Sequence, residues 1–276
     1  MNNPYLPILA TIESIKPETS DTSTFTLRID DAAEREAFLY KPGQFLEVSI
    51  FGAGEAPFCI ASAKHGRDTL DLTVRAVGRV TKALHALGVG GQIGLRGPLG
   101  NCFPMEDVYG KHVLVVGGGI GLAPLRPQVH EVYRLRDKFA SVTVLVGART
   151  QADLVYRDEL EQWQKLEGMT CLTTVDVATD GWAGNVGVVG TLLPQWKHPA
   201  AEGVVFVCGP PIMIRFVVRD LEAMGFAAKD IYTTLEQHMR CGIGKCNHCM
   251  MGDKWVCLDG PVFTCQQLNE MVEYQQ

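Results

Sequence analysis

Hydrophobic and polar positions alternate in short runs over roughly the first hundred residues, and then the alternation stops. Ala10 to Ile15, Thr24 to Ile29, Phe45 to Ile50, Thr69 to Arg75 and Gln92 to Leu95 read as half-buried strands, separated by turn residues such as Lys41-Pro-Gly43. Short strands at this spacing predict an antiparallel barrel or sandwich. One helix interrupts them, Thr81 to Leu87, with Thr81 as its N-cap. From about residue 110 the strands become fully apolar: Val113 to Val116, Val142 to Val146 and Val204 to Cys208. Helical segments alternate with them, one running to about Lys138, then Tyr156 to Leu166 and Ile212 to Met224. Strands alternating with helices predict a parallel sheet. The final section is rich in cysteine and poor in periodicity. The predicted organisation is an antiparallel β-barrel over 1–108, an α/β Rossmann-like domain over 109–226 and a small C-terminal domain over 227–276.

Composition narrows the setting. A chain of 276 residues holds two domains, or three if one is small, and 46% hydrophobic content is ample for their cores. A net charge of −6 argues against a nucleic-acid partner. No uninterrupted apolar run reaches the roughly 18 residues of a membrane span, so no membrane insertion is expected. Met1-Asn-Asn-Pro-Tyr5 lacks a basic segment followed by an apolar stretch, and the expected location is cytoplasmic. In a reducing compartment nine cysteines read as metal ligands plus core residues, with Cys102 and Cys171 of the second kind.

The ligands stand near the end: Cys241-Gly-Ile-Gly-Lys-Cys246-Asn-His-Cys249, with Cys257 downstream. This C-x4-C-x2-C…C spacing is the plant-type [2Fe-2S] arrangement, in which four thiolates hold two irons. Gly242 and Gly244 let the loop pass close to the inorganic sulfides with positive φ where needed. Met250, Met251, Trp255, Val262 and Phe263 flank the ligands and can keep water away. Tetrahedral zinc is the alternative, but zinc sites more often use C-x2-C pairs. Spacing alone does not choose between Cys257 and Cys265 as the fourth ligand.

A second motif follows the first buried strand: Gly117-Gly118-Gly119-Ile120-Gly121-Leu122. A glycine loop between strand and helix lets backbone approach a pyrophosphate, and the helix N-terminus favours negative charge. The spacing departs from G-x-G-x-x-G, and Arg149 rather than an acidic residue closes the next strand. Cys208-Gly209-Pro210-Pro ends a later strand, at the crevice edge where α/β sheets bind ligands. These features point to NAD(P)H, with Arg149 and Arg157 as candidate partners of a 2′-phosphate.

Barrel, Gly-Gly-Gly-Ile-Gly-Leu-Ala-Pro and Cys-Gly-Pro-Pro together resemble the ferredoxin–NADP⁺ reductase superfamily. The terminal Met-Arg-Cys-Gly-Ile-Gly-Lys-Cys with Gly-Asp-Lys-Trp-Val-Cys-Leu-Asp-Gly-Pro-Val-Phe is similar to electron-transfer subunits of three kinds of complex. They are the gamma subunit of cytoplasmic nickel–iron (sulf)hydrogenases, the related subunit of anaerobic sulfite reductase and the electron-transfer subunit of dihydroorotate dehydrogenase. The resemblance implies FAD on the barrel, NAD(P) on the second domain and [2Fe-2S] on the third. It implies an oxidoreductase subunit that works with iron–sulfur subunits of a hydrogenase or reductase complex. A stand-alone reductase for a soluble acceptor, or a docking subunit with decayed nucleotide sites, are the other readings.

The superfamily holds FAD through Arg-x-Tyr-Ser, and the matching stretch here is Ala56-Pro57-Phe58-Cys59-Ile60-Ala61-Ser62. All three defining residues differ. Phe58 can still stack on the isoalloxazine, and Cys59 can offer a weak S–H donor near flavin N5. Ala56 cannot pair with a phosphate, which leaves Arg75 and the turn Gly78-Arg79-Val80-Thr81 to do so. The resemblance also places Cys208 against the nicotinamide, orienting hydride transfer, and makes Cys257 the final cluster ligand, with Cys265 a packing residue.

Overall fold

The computed structural model describes residues 3–64 and 68–271; Met1 and Asn2 of the N-terminal reading lie outside them. Six antiparallel strands come first: β1 (Ile8–Pro17), β2 (Thr22–Ile29), β3 (Phe45–Ile50), β4 (Gly54–Cys59), β5 (Thr69–Arg75) and β6 (Gln92–Leu99). Their order is β4-β3-β6-β1-β2-β5, and the Ala61 N–H donates to the Asp71 carbonyl at 2.8 Å, joining the two edges into a barrel. Alternation accounts for the packing: Phe25, Leu27 and Ile29 of β2 and Leu46, Val48 and Ile50 of β3 point inward. The sequence pattern predicts no strand over Gly54–Cys59. Glycine and proline interrupt the alternation there, and Pro57 is tolerated because β4 is an edge strand.

Two short helices accompany the barrel. Helix α1 (Ala32–Ala37) is capped by Asp31, whose side chain accepts from the Ala33 and Glu34 N–H groups. Helix α2 spans Arg79–Leu87 and is capped by Gly78, not by Thr81. Thr81 lies in its first turn, and its hydroxyl reaches back to accept the N–H groups of Val77 (3.0 Å) and Gly78 (2.8 Å).

The second sheet contains β7 (His112–Gly118), β8 (Ser141–Ala148), β9 (Met169–Val175), β10 (Asn185–Val186), β11 (Gly203–Cys208) and β12 (Ile231–Thr234). Helices α3 (Leu122–Arg134), α4 (Arg157–Trp163) and α5 (Pro211–Ala223) connect and cover them. The order β10-β9-β8-β7-β11-β12 reverses direction between β7 and β11, the switch point at which doubly wound sheets bind ligands. Val113 and Val115 pack in one core with α3, and Leu114 and Val116 in another with α5. Among the described residues no helix is long and apolar enough to cross a membrane.

The cysteine-rich segment adds the hairpin strands β13 (Met250–Met251) and β14 (Lys254–Trp255), then β15 (Val262–Thr264) and helix α6 (Cys265–Glu270). Strand β15 pairs antiparallel with β12, so this segment extends the nucleotide sheet. It also covers the outer face of the barrel, where Phe45 packs with Cys249, Val256, Cys257 and Phe263. Asn101, just past β6, fixes the junction: its Nδ2 donates to the carbonyls of Asp259 and Val262, each at 2.8 Å, and its Oδ1 accepts the Val262 N–H at 2.9 Å.

Barrel and nucleotide sheet meet through Arg126 of α3. Its Nη1 donates to Asp71 Oδ2 of β5 (3.0 Å) and to the Ala61 carbonyl (2.8 Å), while Nε and Nη2 grip Glu159 of α4 at 2.6–3.0 Å. The guanidinium lies over the Tyr156 ring, 4.9 Å from its centroid. Burial works to raise the Glu159 carboxyl, but His130 and Arg126 outweigh it and hold it down to about 2. Arg126→Met takes the shared cation from Asp71 and Glu159, leaving them Thr26 and His130 as partners, and removing one partner from such a network costs about 3–5 kcal/mol. A stability loss of that size in thermal unfolding is expected; a loss under about 1 kcal/mol would show that other contacts hold the junction.

Candidate active site and cluster site

A cavity of about 1400 Å³ opens between the barrel and the C-terminal edge of the parallel sheet. That exceeds the several hundred Å³ of a site for one small molecule, and suits a flavin and a dinucleotide together. Pro57, Phe58 and Cys59 of β4, with Arg75 of β5 and Thr81 of α2, form the barrel wall. Gly118, Gly119, Ile120 and Gly121 form the facing wall, with Cys208, Gly209 and Pro210 beside them. Arg149 stands farther along.

Other candidates lie back from the cavity. Ile60 packs inside the barrel core, and Ser62 is buried, its hydroxyl bonded to Tyr40 (3.0 Å) and accepting the Asp71 N–H (2.9 Å). Gly78, Arg79 and Val80 are not among its lining residues, nor are Gly117 and Leu122. Val80 packs against the barrel core, and Leu122 is fully buried under the loop. Arg157, the first residue of α4, is exposed and outside the wall. Arg75 is already engaged, its Nε donating to Asp21 Oδ2 at 2.6 Å.

The floor depends on absent side chains. A Cβ on Gly121 would lie 2.5 Å from the Gly209 Cα, and one on Gly118 would lie 2.1 Å from Met213 Sδ. The two motif loops therefore touch backbone to backbone, which leaves their N–H groups within reach of a phosphate.

Cys59 and Cys208 come from different sheets and share this cavity. Cys208 Sγ lies 3.0 Å from the Thr234 hydroxyl. Burial, then Cys208 and Glu236, push the Cys59 thiol up to about 12; burial and Glu236 push Cys208 to about 12, against the pull of Thr234. Both are neutral thiols at physiological pH, suited to packing and weak donation rather than attack. Thr234, Leu235, Glu236 and Met239 also line the cavity, a contribution that sequence reasoning missed. The available signal was position, because a chain leaving a strand at the switch-point edge must cross the crevice.

Among the described residues, no three His, Cys, Asp or Glu side chains converge as a single bound ion would need. The four thiols come instead from one glycine-rich segment, with Cys249 and Cys257 in one buried cluster. Four thiols at this C-x4-C-x2-C…C spacing suit a two-iron centre, in which each iron would take two thiolates and the bridging sulfides. Backbone N–H groups already point at sulfur: Lys245 at Cys241 Sγ (3.3 Å) and Gly244 at Cys257 Sγ (3.2 Å). Burial opposes ionisation of Cys241, but the Ile243 and Lys245 N–H groups and Cys246 bring its thiol down to about 7. Gly242 and Gly244 have φ of +70° and +67°, and a Cβ on either would strike Leu99 or Leu258. Met251, Trp255 and Phe263 pack around the thiols, while Met250 is partly exposed and Val262 joins the nucleotide-domain core. Cys246 is the exposed thiol of the nine, and Cys265 packs in the core beneath α5.

Beneath this loop the barrel presents Glu47 and Arg96. Arg96 Nη1 donates to the Cys241 carbonyl at 2.9 Å while Nε holds Glu55 at 3.0 Å. Glu47 is 1% exposed, with Oε1 unpartnered, and would lie 3.1–3.4 Å from a Cβ on Gly242. Burial and Glu55 push its carboxyl up to about 7 against the pull of Arg96.

Comparison with known proteins adds three family matches. Residues 9–103 match the oxidoreductase FAD-binding domain, 115–219 the oxidoreductase NAD-binding domain, and 236–269 the iron–sulfur cluster binding domain of dihydroorotate dehydrogenase B. The chain is 37% identical to sulfhydrogenase 2 subunit gamma of Pyrococcus furiosus, over 95% of this chain and 96% of that protein. It is 32% identical to a probable dihydroorotate dehydrogenase B (NAD⁺) electron transfer subunit of Methanocaldococcus jannaschii, over 97% and 93%. Among solved structures it is similar to a chain of the NADH-dependent reduced ferredoxin–NADP oxidoreductase, with a TM-score of 0.74 and 28% identity over 96% of this chain and 90% of that one. The ferredoxin reductase of carbazole 1,9a-dioxygenase shares the fold, at a TM-score of 0.70 and 23% identity over 82% and 68%.

Glu47 makes a pH prediction. Its folded-state value lies above the ordinary 4.5, so the stability held by the neutral carboxyl is complete below about pH 4.5 and is lost as pH rises through 7. Glu47→Gln should flatten the decline of thermal midpoint between pH 5 and 8. An unchanged profile would remove Glu47 as its source.

Proposed function

The chain belongs to the sulfhydrogenase gamma and dihydroorotate dehydrogenase B electron-transfer subunits of the ferredoxin–NADP⁺ reductase superfamily, and on that premise we propose that it carries electrons between NAD(P)H and an iron–sulfur partner subunit. It is an oxidoreductase with FAD-binding, NAD-binding and iron–sulfur-binding domains. In this reading FAD belongs to 1–108, the nucleotide to 109–226 and [2Fe-2S] to 227–276. The partner belongs to a hydrogenase-like or sulfite-reductase-like complex in the cytoplasm.

One observation carries the proposal: Phe58 and Cys59 from the barrel and Cys208 from the parallel sheet line one cavity. Bound there, flavin supplies the exchange between a hydride and single electrons that a nicotinamide and an iron–sulfur cluster require. Phe58 offers a face for the flavin ring, and Cys59 a weak donor at its edge. Cys208, held by Thr234, limits where the nicotinamide can lie; the chemistry asks this of it because hydride transfer needs near contact. The paired glycine loops take the pyrophosphate, and Thr81 and Arg75 lie on the flavin's phosphate side. Cys241, Cys246, Cys249 and Cys257 hold the cluster, and packing around Cys249 and Cys257 leaves Cys246 as its solvent edge.

Anaerobically purified protein should show flavin bands over broad iron–sulfur absorption, and NADH or NADPH should bleach both. Cys257→Ser should strip or strongly alter the [2Fe-2S] EPR signal while flavin is retained, and Cys265→Ser should leave it essentially unchanged. The reverse pattern would move the fourth ligand to Cys265; a colourless zinc protein would end the proposal.

A further inference from the structure

The far end of the cavity lies at the C-terminal ends of β8 and β9, where a Rossmann sheet meets the adenosine half of a dinucleotide. Three charged side chains stand in its wall: Arg149, Asp153 and Asp176. Elsewhere in the wall Arg75 is paired with Asp21, and Arg219 with Asp220, each at 2.6 Å. Among the described residues neither Arg149 nor Asp176 has a side-chain partner. Asp153 uses one oxygen, Oδ2, to accept the Thr150 N–H (3.0 Å) and hydroxyl (2.7 Å), which leaves the other available. Backbone bonds hold the strand ends together: the Asp176 N–H donates to the Ala148 carbonyl (2.9 Å) and the Val177 N–H to the Arg149 carbonyl (3.0 Å).

The charge balance decides the ligand. A 2′-phosphate carries about −1.5 to −2 at neutral pH. Here it would meet one cation and two carboxylates, because Arg157, the second arginine expected from the sequence, is outside the wall. Like charges in the same wall disfavour the anion, whereas a 2′-hydroxyl donates to a carboxylate without that penalty. We infer that this wall selects NADH over NADPH, with Asp176 as the specificity-determining residue and Asp153 in support. The inference rests on reading the cavity as a nicotinamide-dinucleotide site. Asp176 is exposed at a strand end, so its substitution leaves the core intact.

The test is steady-state reduction of ferricyanide by the holo-protein with NADH and with NADPH. The native chain should favour NADH in kcat/KM by about tenfold or more, equivalent to about 1.4 kcal/mol. Asp176→Asn should move the two nucleotides in opposite directions, raising kcat/KM for NADPH and lowering it for NADH, mainly through KM. Structural damage would lower both. Added salt should narrow the native preference, since the discrimination is electrostatic at an exposed site. Equal or better use of NADPH by the native chain, or an unchanged ratio in Asp176→Asn, would overturn the inference. Failure of both nucleotides to reduce the flavin would instead overturn the reading of the cavity, and this inference with it.

Discussion

The Arg126 guanidinium fixes the distance on which the rest of the molecule depends. The cavity is not built inside one domain: its walls belong to two sheets that share no hydrogen-bonded strand. A buried arginine that reaches Asp71 on one side and Glu159 on the other sets the two walls in one register. Such a network adds little net stability over apolar packing, because desolvation offsets most of the attraction. Its value here is geometric, since it sets how the cavity walls that carry Cys59 and Cys208 stand to one another.

Arg96 does the equivalent on the opposite face of the barrel. Strand β3 supplies both surfaces, with Leu46, Val48 and Ile50 inside the barrel and Phe45 and Glu47 under the cysteine loop. The cysteine segment is then held three times, by Arg96 at Cys241, by Asn101 at 259–262 and by β15 in the nucleotide sheet. These contacts tie it to both sheets. The barrel is the common support for both ends of the electron path.

Local chemistry was legible in the sequence and long-range pairing was not. The cysteine spacing, the glycine loop and Cys-Gly-Pro-Pro carry their meaning within a few residues, and the barrel alternation marks five of six strands. Strand β4 escaped because Gly54 and Pro57 disguise an edge strand. Thr81 looks like a cap because a threonine before an apolar run is one, and only the backbone shows that the helix begins two residues earlier. Ile60 and Ser62 share a motif with Phe58 and Cys59, but Ile60 packs in the barrel core and Ser62 is buried against Tyr40 and Asp71. Arg126, Glu47 and Asp176 carry no local signature at all. Their importance comes from partners 33 to 65 residues away, or from a cavity assembled from distant loops.

In the proposed electron path, nicotinamide and cluster are joined only through a flavin held on the barrel. The most direct test is to strip the flavin under conditions that retain the iron, mix with NADH anaerobically, and follow the cluster by freeze-quench EPR. The stripped protein should show no reduced-cluster signal, and the signal should return, after flavin bleaching, once FAD is restored. A reduced-cluster signal appearing at an undiminished rate without flavin would contradict that path.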